Sequence, residues 1–487
     1  MRKIELFLLT LILLGAFIVR LYHFNSPIAD WHSWRQSDTS AVSRNFIKFG
    51  FDILHPRFDD LSNGVSLIDN PMGYRFVEFP IYNLFQAGLF KIFGYFTIEQ
   101  WGRLVTIFSS QAAIVFLYLI VRKYISIRAG LFAAFFYAFV PYSIYFGRVI
   151  LPDQLMVATM LGGIYFYDKW LEKGGFRFLL AIILIASSVL IKPYVLFFSL
   201  PLAYLTWRKF GFGMLKKKEL WIFLILSILP FILWRLWMQQ YPEGIPRNDW
   251  LFNGNGIRFK GAFFHWIFAE RISHLILGFF GLPFVIIGLL AKIKKEGWFF
   301  SLFAVSSLIY LTDLATGNVQ HDYYQILIIP TLAILFAKGI DFSFSKTGDL
   351  FHRYTTYFVI LVSILFMLAF GWFRIRDFYS IQHPEIVEAG IAIDKLTPKT
   401  AKIIAIYNGD TAFLYQTKRQ GWPVFERPIK DFVKAGATYI AFVNPGKEEL
   451  NFANEFATVE IREKYAIFDL TKPTPLGIKH FFEERKK

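Results

Sequence analysis

Apolar stretches recur along most of this chain, at 4–22, 104–121, 129–147, 151–167, 178–191, 193–206, 220–238, 274–291, 298–313, 325–337 and 354–373. A helix of about 20 apolar residues spans the hydrocarbon core of a bilayer. The pattern therefore predicts eleven membrane spans. The stretches 178–191 and 193–206 are short and divided at Pro193, which predicts tilt or partial embedding against neighbouring helices. A further run, "PIYNLFQAGLFKIFGY" at 80–95, is interrupted by Asn83, Gln86 and Lys91 and reads as a helix lying in the outer interface. The opening "MRKIELFLLTLILLGAFIVRLYHF" starts basic like a signal peptide. Its apolar run is long and no small-residue cleavage site follows, so it reads as a retained first helix. Beyond residue 373 the pattern changes. "KIIAIYNGD", "FVKAGATYIAFVN" and "TVEIREKYAIFDL" alternate β-rich runs with a helical stretch, which predicts a small α/β domain. The predicted organisation is an α-helical polytopic membrane domain over 1–373, with a first outer loop at 23–103, followed by the α/β domain over 374–487.

Charge sets the direction of threading. With the N-terminus in the cytoplasm, the inside loops are 122–128, 168–177, 207–219, 292–297 and 338–353, and each carries three or more Lys or Arg. The facing outer turns "GRVILPD", "KP" and "TGNVQHDYY" carry one, one and none. This is the positive-inside asymmetry of a multi-pass protein of the inner (plasma) membrane, and it puts the α/β domain outside the cytoplasm. The net charge of +16 then reflects topology and contact with anionic headgroups rather than nucleic acid. Composition agrees, because 18% charged residues is below the roughly 25% of soluble domains. The absence of cysteine excludes disulfides and thiolate chemistry.

The same threading gathers ionisable groups at the outer surface. The first loop carries Asp30, His32, Arg35, Asp38, Arg44 and Glu78. Later outer segments carry Arg148 and Asp153, then Lys192, then His265, Glu270 and Arg271, and last His321, Asp322, Tyr323 and Tyr324. Such groups are costly near a membrane and usually serve a site. A carboxylate can act as general base, and Lys or Arg can hold an anionic phosphate. Both at a lipid boundary point to a lipid-linked phosphate substrate. Each residue also has a plainer reading. Asp30 and Asp38 could be solvated or cap helices, Asp38 before "SAVSRNF" above all. Asp153 could cap the span it opens after Pro152. Lys192 could snorkel, Arg148 could touch headgroups, and Tyr323 and Tyr324 could belong to an aromatic belt. His265, Glu270 and Arg271 read as ordinary interfacial residues. It is their conjunction that favours a site.

Six pieces of sequence carry a family resemblance. "RLYHF" closes the first span and "SRNFIKFG" follows it. "EFPIY…KIFGY" pairs a Glu-x-Pro with a helix ending in Phe-Gly. "GRVILPDQL" contains Asp153, "LIKPYVLFFSLP" contains Lys192, and "HDYYQILIIP" is an aromatic turn before a late span. Together they resemble the GT-C glycosyltransferases, especially the group near the lipid A aminoarabinose transferase and the protein O-mannosyltransferases. The resemblance implies a polyprenyl-phosphate sugar donor and a lipid, glycan or protein acceptor at the outer face. It implies an acidic first-loop base, cations on the leaving phosphate, and inversion in one displacement.

Two positions depart from the family. Counting back from Arg44 places Arg35-Gln36 where the family has an Asp-Glu pair, so the base falls to Asp30 or Asp38, with Asp153 next. Phe79 stands where aminoarabinose relatives have lysine, so phosphate binding leans on Lys192, Arg148 or Arg271. "HSWRQSDT" is then the signature of a distinct subfamily. A divalent metal stays open, with Glu78, His265 and His321 as a zinc-like set. The rival readings are a transporter or flippase of lipid-linked sugars and a non-catalytic envelope-assembly scaffold. A transporter should show repeated halves and midplane charges, and the sequence shows neither.

Overall fold

The computed structural model describes residues 2–348 and 352–482. Met1, residues 349–351 of the predicted 338–353 loop and residues 483–487 of the predicted tail lie outside the described residues. The chain folds into two compact units. One comprises the residues up to Phe24, Arg103–Arg235 and Asn248–Tyr379; the other comprises Asn25–Gly102, Leu236–Arg247 and the residues from Ser380 onward.

Helical structure lies over each predicted apolar stretch. Among the described residues, four helices are long and apolar enough to cross a membrane: Ile98–Tyr124, Lys218–Met238, Asp322–Ser345 and the one that begins at Arg353. Several others are shorter or broken, and proline explains where. The stretch 129–147 divides into Ile127–Phe139 and Pro141–Phe146, and a 3₁₀ turn, Pro193–Phe198, precedes Ser199–Phe210. Proline lacks the N–H that would continue the ladder and forces the preceding residue out of helical geometry.

The named elements of the first unit, among the described residues, are helices, and small residues set their tightest contacts. A Cβ on Gly288 would collide with Leu335 O, and one on Gly339 with Phe284 O. The helices Leu282–Leu290 and Ile329–Ser345 thus touch backbone to backbone, as small-residue interfaces allow in membranes. Arg20 is fully buried and donates to the carbonyls of Ala16, Ala138, Tyr137 and Ser143. Those bonds tie the first helix to the break between Ile127–Phe139 and Pro141–Phe146.

The second unit is built on one sheet. Its strands are β1 (Lys402–Ile406), β2 (Gln420–Trp422), β3 (Tyr439–Val443), β4 (Phe456–Ile461) and β5 (Tyr465–Pro473), in the order β2-β1-β3-β5-β4. β1 pairs in parallel with β2 and β3, while β5 runs antiparallel to β3 and β4. Strand residues alternate between faces. Ile403, Ala405 and Ala441 join one core with Ile386, Ile393 and Phe413, whereas Ile404, Ile440 and Phe442 join a second with Trp422, Phe432 and Phe468. The expected α/β tail is therefore present as a sheet covered on both faces. The first loop, expected with the 1–373 segment, packs into this same unit. Ala29 enters the first core and Leu61 the second. Leu61 N donates to Gly421 O, and Gly421 N donates to Asp59 O, so the loop extends the sheet beside β2.

The run at 80–95 forms a 13-residue helix, Ile81–Phe93, within this unit. Its interrupting polar residues explain why. Asn83 donates to Thr39 O (2.6 Å) and Ser43 Oγ (3.0 Å), and Gln86 donates to Ser40 Oγ (3.0 Å) and Ile98 O (2.8 Å).

Candidate active site

The first-loop cluster rests on the helix Ser33–Phe49. It begins after His32, whose backbone is left-handed (φ 56°), so Asp38 lies inside the helix and does not cap it. Arg35, Gln36, Ser37, Asp38, Thr39 and Ser40 form a buried polar run on this helix. Buried polar groups survive only when bonded, and here each charged one has a partner. Arg75 lies 3.0 Å from one Asp38 oxygen, and the Thr411 hydroxyl donates to the other at 2.6 Å. Gln36 Nε2 donates to Asp30 at 2.7 Å. Arg35, close to both Asp30 and Asp38 along the chain, is ion-paired with Glu78. Arg44 is ion-paired with Asp59, donates to Tyr415 O at 3.0 Å and stacks 4.0 Å from the Tyr415 ring. That makes Arg44 the anchor of the loop on the tail segment. His32 is half-buried and packs on Trp31 at 5.1 Å.

Two further carboxyls stand near Asp38, and sequence reasoning missed both. Burial, helped by the charges of Asp38 and Glu426, pushes Asp60 up to about 7 against the bond it accepts from Ser62 N. Burial, with Asp38 adding to it, pushes Asp410 up to about 6 although it accepts from Ala412 N. Arg75 was also missed. Its signal was present, because it stands three residues before Glu78 in "YRFVEFP". Thr411 had a weaker signal in "NGDTAF", where Asp410 caps a short helix.

The second cluster lies in the helical unit. Asp153 is the first residue of the helix Asp153–Lys173, whose N-cap position is taken by Pro152. Both its oxygens receive Lys192 Nζ, at 2.7 and 2.9 Å. Lys192 ends the helix Arg177–Ile191 in an extended conformation (φ −149°, ψ 125°), as a residue before proline must. The lysine, which has no acidic neighbour along the sequence, thus gains a buried carboxylate partner in the fold. Its ammonium also lies 5.6 and 5.9 Å from the Tyr323 and Tyr324 ring centres, within cation–π range. His321 stacks on Tyr323 at 5.5 Å. Arg271 lies 3.8 Å from Asp322 and donates to Val319 O at 3.1 Å, while the Tyr142 hydroxyl donates to Asp322 O at 2.5 Å.

Other predicted residues fall outside these groupings. Arg148 is fully buried, donates to His23 O at 2.8 Å and lies over the Tyr379 ring at 4.9 Å. Glu270 is shared by His265 (3.9 Å), His274 (3.3 Å) and Arg374 (3.7 Å). Among the described residues no three His, Asp or Glu side chains are arranged to hold a metal ion, and Glu78, His265 and His321 are not gathered into one set. The first-loop cluster can orient a carboxylate. The second can offer an ammonium beside aromatic rings.

Residues 72–237 match the family described as dolichyl-phosphate-mannose-protein mannosyltransferase. No curated protein matches by sequence. Among solved structures, ArnT from Cupriavidus metallidurans is similar in the apo state, with a TM-score of 0.62 and 14% identity over 94% of this chain and 97% of that one. ArnT bound to undecaprenyl phosphate gives a TM-score of 0.64 at the same identity and coverage. The archaeal oligosaccharyltransferase AglB from Archaeoglobus fulgidus, in complex with an inhibitory peptide and a dolichol-phosphate, gives 0.52 and 13% identity over 98% of this chain and 77% of that one. The chain resembles the GT-C glycosyltransferases in fold over nearly its whole length.

Proposed function

We propose that this chain is an inverting glycosyltransferase, moving a hexosyl or pentosyl group from a polyprenyl-phosphate donor to an acceptor at the outer face of the membrane. The observation that carries this reading is the buried Asp153–Lys192 pair under Tyr323 and Tyr324, in a fold shared with a protein crystallised with undecaprenyl phosphate. Lys192, with Arg271 and Arg148 as further candidates, serves the donor phosphate. That phosphate gains charge as the glycosidic bond breaks, so a cation there stabilises the transition state more than the ground state. A first-loop carboxylate, Asp30 or Asp38, takes the proton of the acceptor. Inversion requires acceptor oxygen and leaving phosphate on opposite faces of the sugar, so base and cation must come from separate groups of residues.

The proposed topology is eleven crossings with the N-terminus in the cytoplasm and the tail outside, supported by the five basic loops. Cysteine at Gly213 should be shielded from an impermeant thiol reagent in intact cells and cysteine at Glu448 should react; the reverse labelling sinks the topology. For the activity, purified full-length protein should transfer sugar from a polyprenyl-phosphate-linked donor. Movement of intact lipid-linked sugar across vesicles without transfer would instead establish the transporter reading.

A further inference from the structure

A cleft of about 410 Å³ opens in the sheet-bearing unit, lined by His383, Glu385, Tyr407, Asn408, Asn444 and Glu449. Ile406, Phe442 and Val443 complete its wall. It lies where the parallel strands β1 and β3 end. The pairing Ile406↔Phe442 is the last of that ladder, so Asn408 and Asn444 each follow it by two residues and occupy equivalent positions. Parallel strands commonly present ligand sites at their carboxyl ends. The volume falls within the range of small-molecule sites, roughly 300–1,000 Å³.

The local backbone is unusual at both asparagines. Asn408 has φ 50° and Asn444 has φ 46°. Left-handed geometry is uncommon for a residue with a side chain, and Asn444 precedes Pro445, where extended backbone is preferred. Such conformations tend to persist at ligand sites, where they aim particular groups. Both side chains are exposed in the cleft wall.

The chemistry of the lining selects the ligand. Glu385 is largely buried, stands in the first turn of the helix Pro384–Leu396, and lies 3.2 Å from His383 Nδ1. Glu449 accepts from Gly446 N with one carboxylate oxygen. Burial and the charges of Glu385 and Asp410 push the Tyr407 hydroxyl up to about 12, so it remains a donor at neutral pH. None of the described lining residues is Lys or Arg, which disfavours phosphate, sulfate and uronate groups. Two carboxylates, two amides, an imidazole and a phenol above apolar wall atoms form the mixture that vicinal hydroxyls and the C–H face of a pyranose satisfy. We infer that this cleft is a binding site for a neutral or amine-bearing carbohydrate. The inference stands apart from the proposed transferase activity, because it concerns binding alone.

The test uses full-length protein in nanodiscs with chitotriose and mannotriose as probes, and a sulfated disaccharide as the anionic counterpart, read by saturation-transfer NMR and titration calorimetry. At least one neutral probe should bind. The pair Asn408→Gly and Asn444→Gly keeps the left-handed backbone and deletes the amides, so it should weaken that binding at least tenfold with an unchanged melting temperature. Glu385→Gln should weaken it as well, and Lys192→Ala should not. Three results overturn the inference: neither neutral probe binds, the glycine pair binds as wild type does, or the sulfated disaccharide binds more tightly. Binding without any sugar transfer would leave the cleft standing and remove the transferase reading. Transfer without binding would do the opposite.

Discussion

Asp153 and Asp38 are both buried carboxylates held by a cation, yet they are built differently. Asp153 gives both oxygens to one ammonium, that of Lys192, 39 residues away at the end of the next helix. Asp38 divides its oxygens between the Arg75 guanidinium and the Thr411 hydroxyl, the latter 373 residues away. An ammonium is a point charge on a flexible stem and can turn from one anion to another. A guanidinium and a hydroxyl on opposite oxygens fix a carboxylate's orientation. The first arrangement suits a cation that must share itself with a phosphate, and the second suits a base that must be aimed. Four experiments bear on that distinction.

The largest effect should come from removing the base. Asparagine keeps the shape and deletes the proton acceptor, and loss of a general base costs on the order of 10²–10⁴-fold in rate. One of Asp30→Asn and Asp38→Asn should show that loss in turnover with donor binding largely kept, and the other should be milder. The orientation argument places the larger loss at Asp38. Wild-type turnover in both variants removes the first loop from the chemistry and moves the search to Asp153.

The exchangeable pair gives the next effect. Lys192→Ala leaves a carboxylate buried without its cation, and breaking such a pair costs about 3–5 kcal/mol. The double replacement of Asp153→Leu with Lys192→Met removes both charges and should recover most of the melting temperature. Turnover should stay low in the double variant, because the phosphate has lost its ammonium. Recovery of stability and turnover together would make the pair structural only.

Much of the architecture could be read in the sequence, and the reason is periodicity. Apolar runs and basic loops are local signals, so helices appear over every predicted stretch. Asn83, Gln86 and Lys91 likewise marked Ile81–Phe93 as different from a span. Partnerships were less legible because they depend on the path of the chain. Asp38 before "SAVSRNF" looks like a cap, but the left-handed His32 starts the helix earlier and carries Asp38 into its interior. Lys192 looks isolated beside Pro193, and only the packing of two helices delivers Asp153 to it. Asp30 and Asp38 are the carboxylates nearest Arg35 along the chain, while the loop folds Glu78 onto it and gives Arg75 to Asp38. The pairing of the first loop beside β2 had no local signal, because Gly421 meets Asp59 and Leu61 through backbone groups.

A third effect reads the surroundings of Asp38 through pH. Asp60 and Asp410, raised to about 7 and about 6 by burial with Asp38 nearby, keep their protons where an unfolded chain, with aspartate near 3.9, has lost them. The native state then binds more protons than the unfolded state, so stability falls as pH rises. The contribution is complete below about pH 4 and is lost by roughly pH 6 for Asp410 and 7 for Asp60. The melting temperature should decline by several degrees across that window, and Asp60→Asn should flatten the decline. An unchanged slope in Asp60→Asn would show that Asp60 does not carry it.

The smallest effect asks whether the far end of the chain helps to aim Asp38. Thr411→Val is nearly isosteric and deletes one hydroxyl. That hydroxyl donates to Asp38 at 2.6 Å and lies 3.3 Å from Trp34 O. A hydrogen bond to a charged group contributes about 1.5–3 kcal/mol, and because Arg75 still holds the other oxygen the loss should fall at the low end. If Asp38 is the base, loosening one of its two anchors should lower turnover by less than tenfold while substrate KM stays near its wild-type value. Thr411→Ser, which restores the hydroxyl, should recover the rate. If Asp30 is the base, Thr411→Val should lower the melting temperature and leave turnover untouched, since Asp30 is bonded to Gln36 instead. Full activity in Thr411→Val together with a large loss in Asp38→Asn would mean that Arg75 alone orients the carboxylate, and that the tail segment stabilises the first loop without taking part in its chemistry.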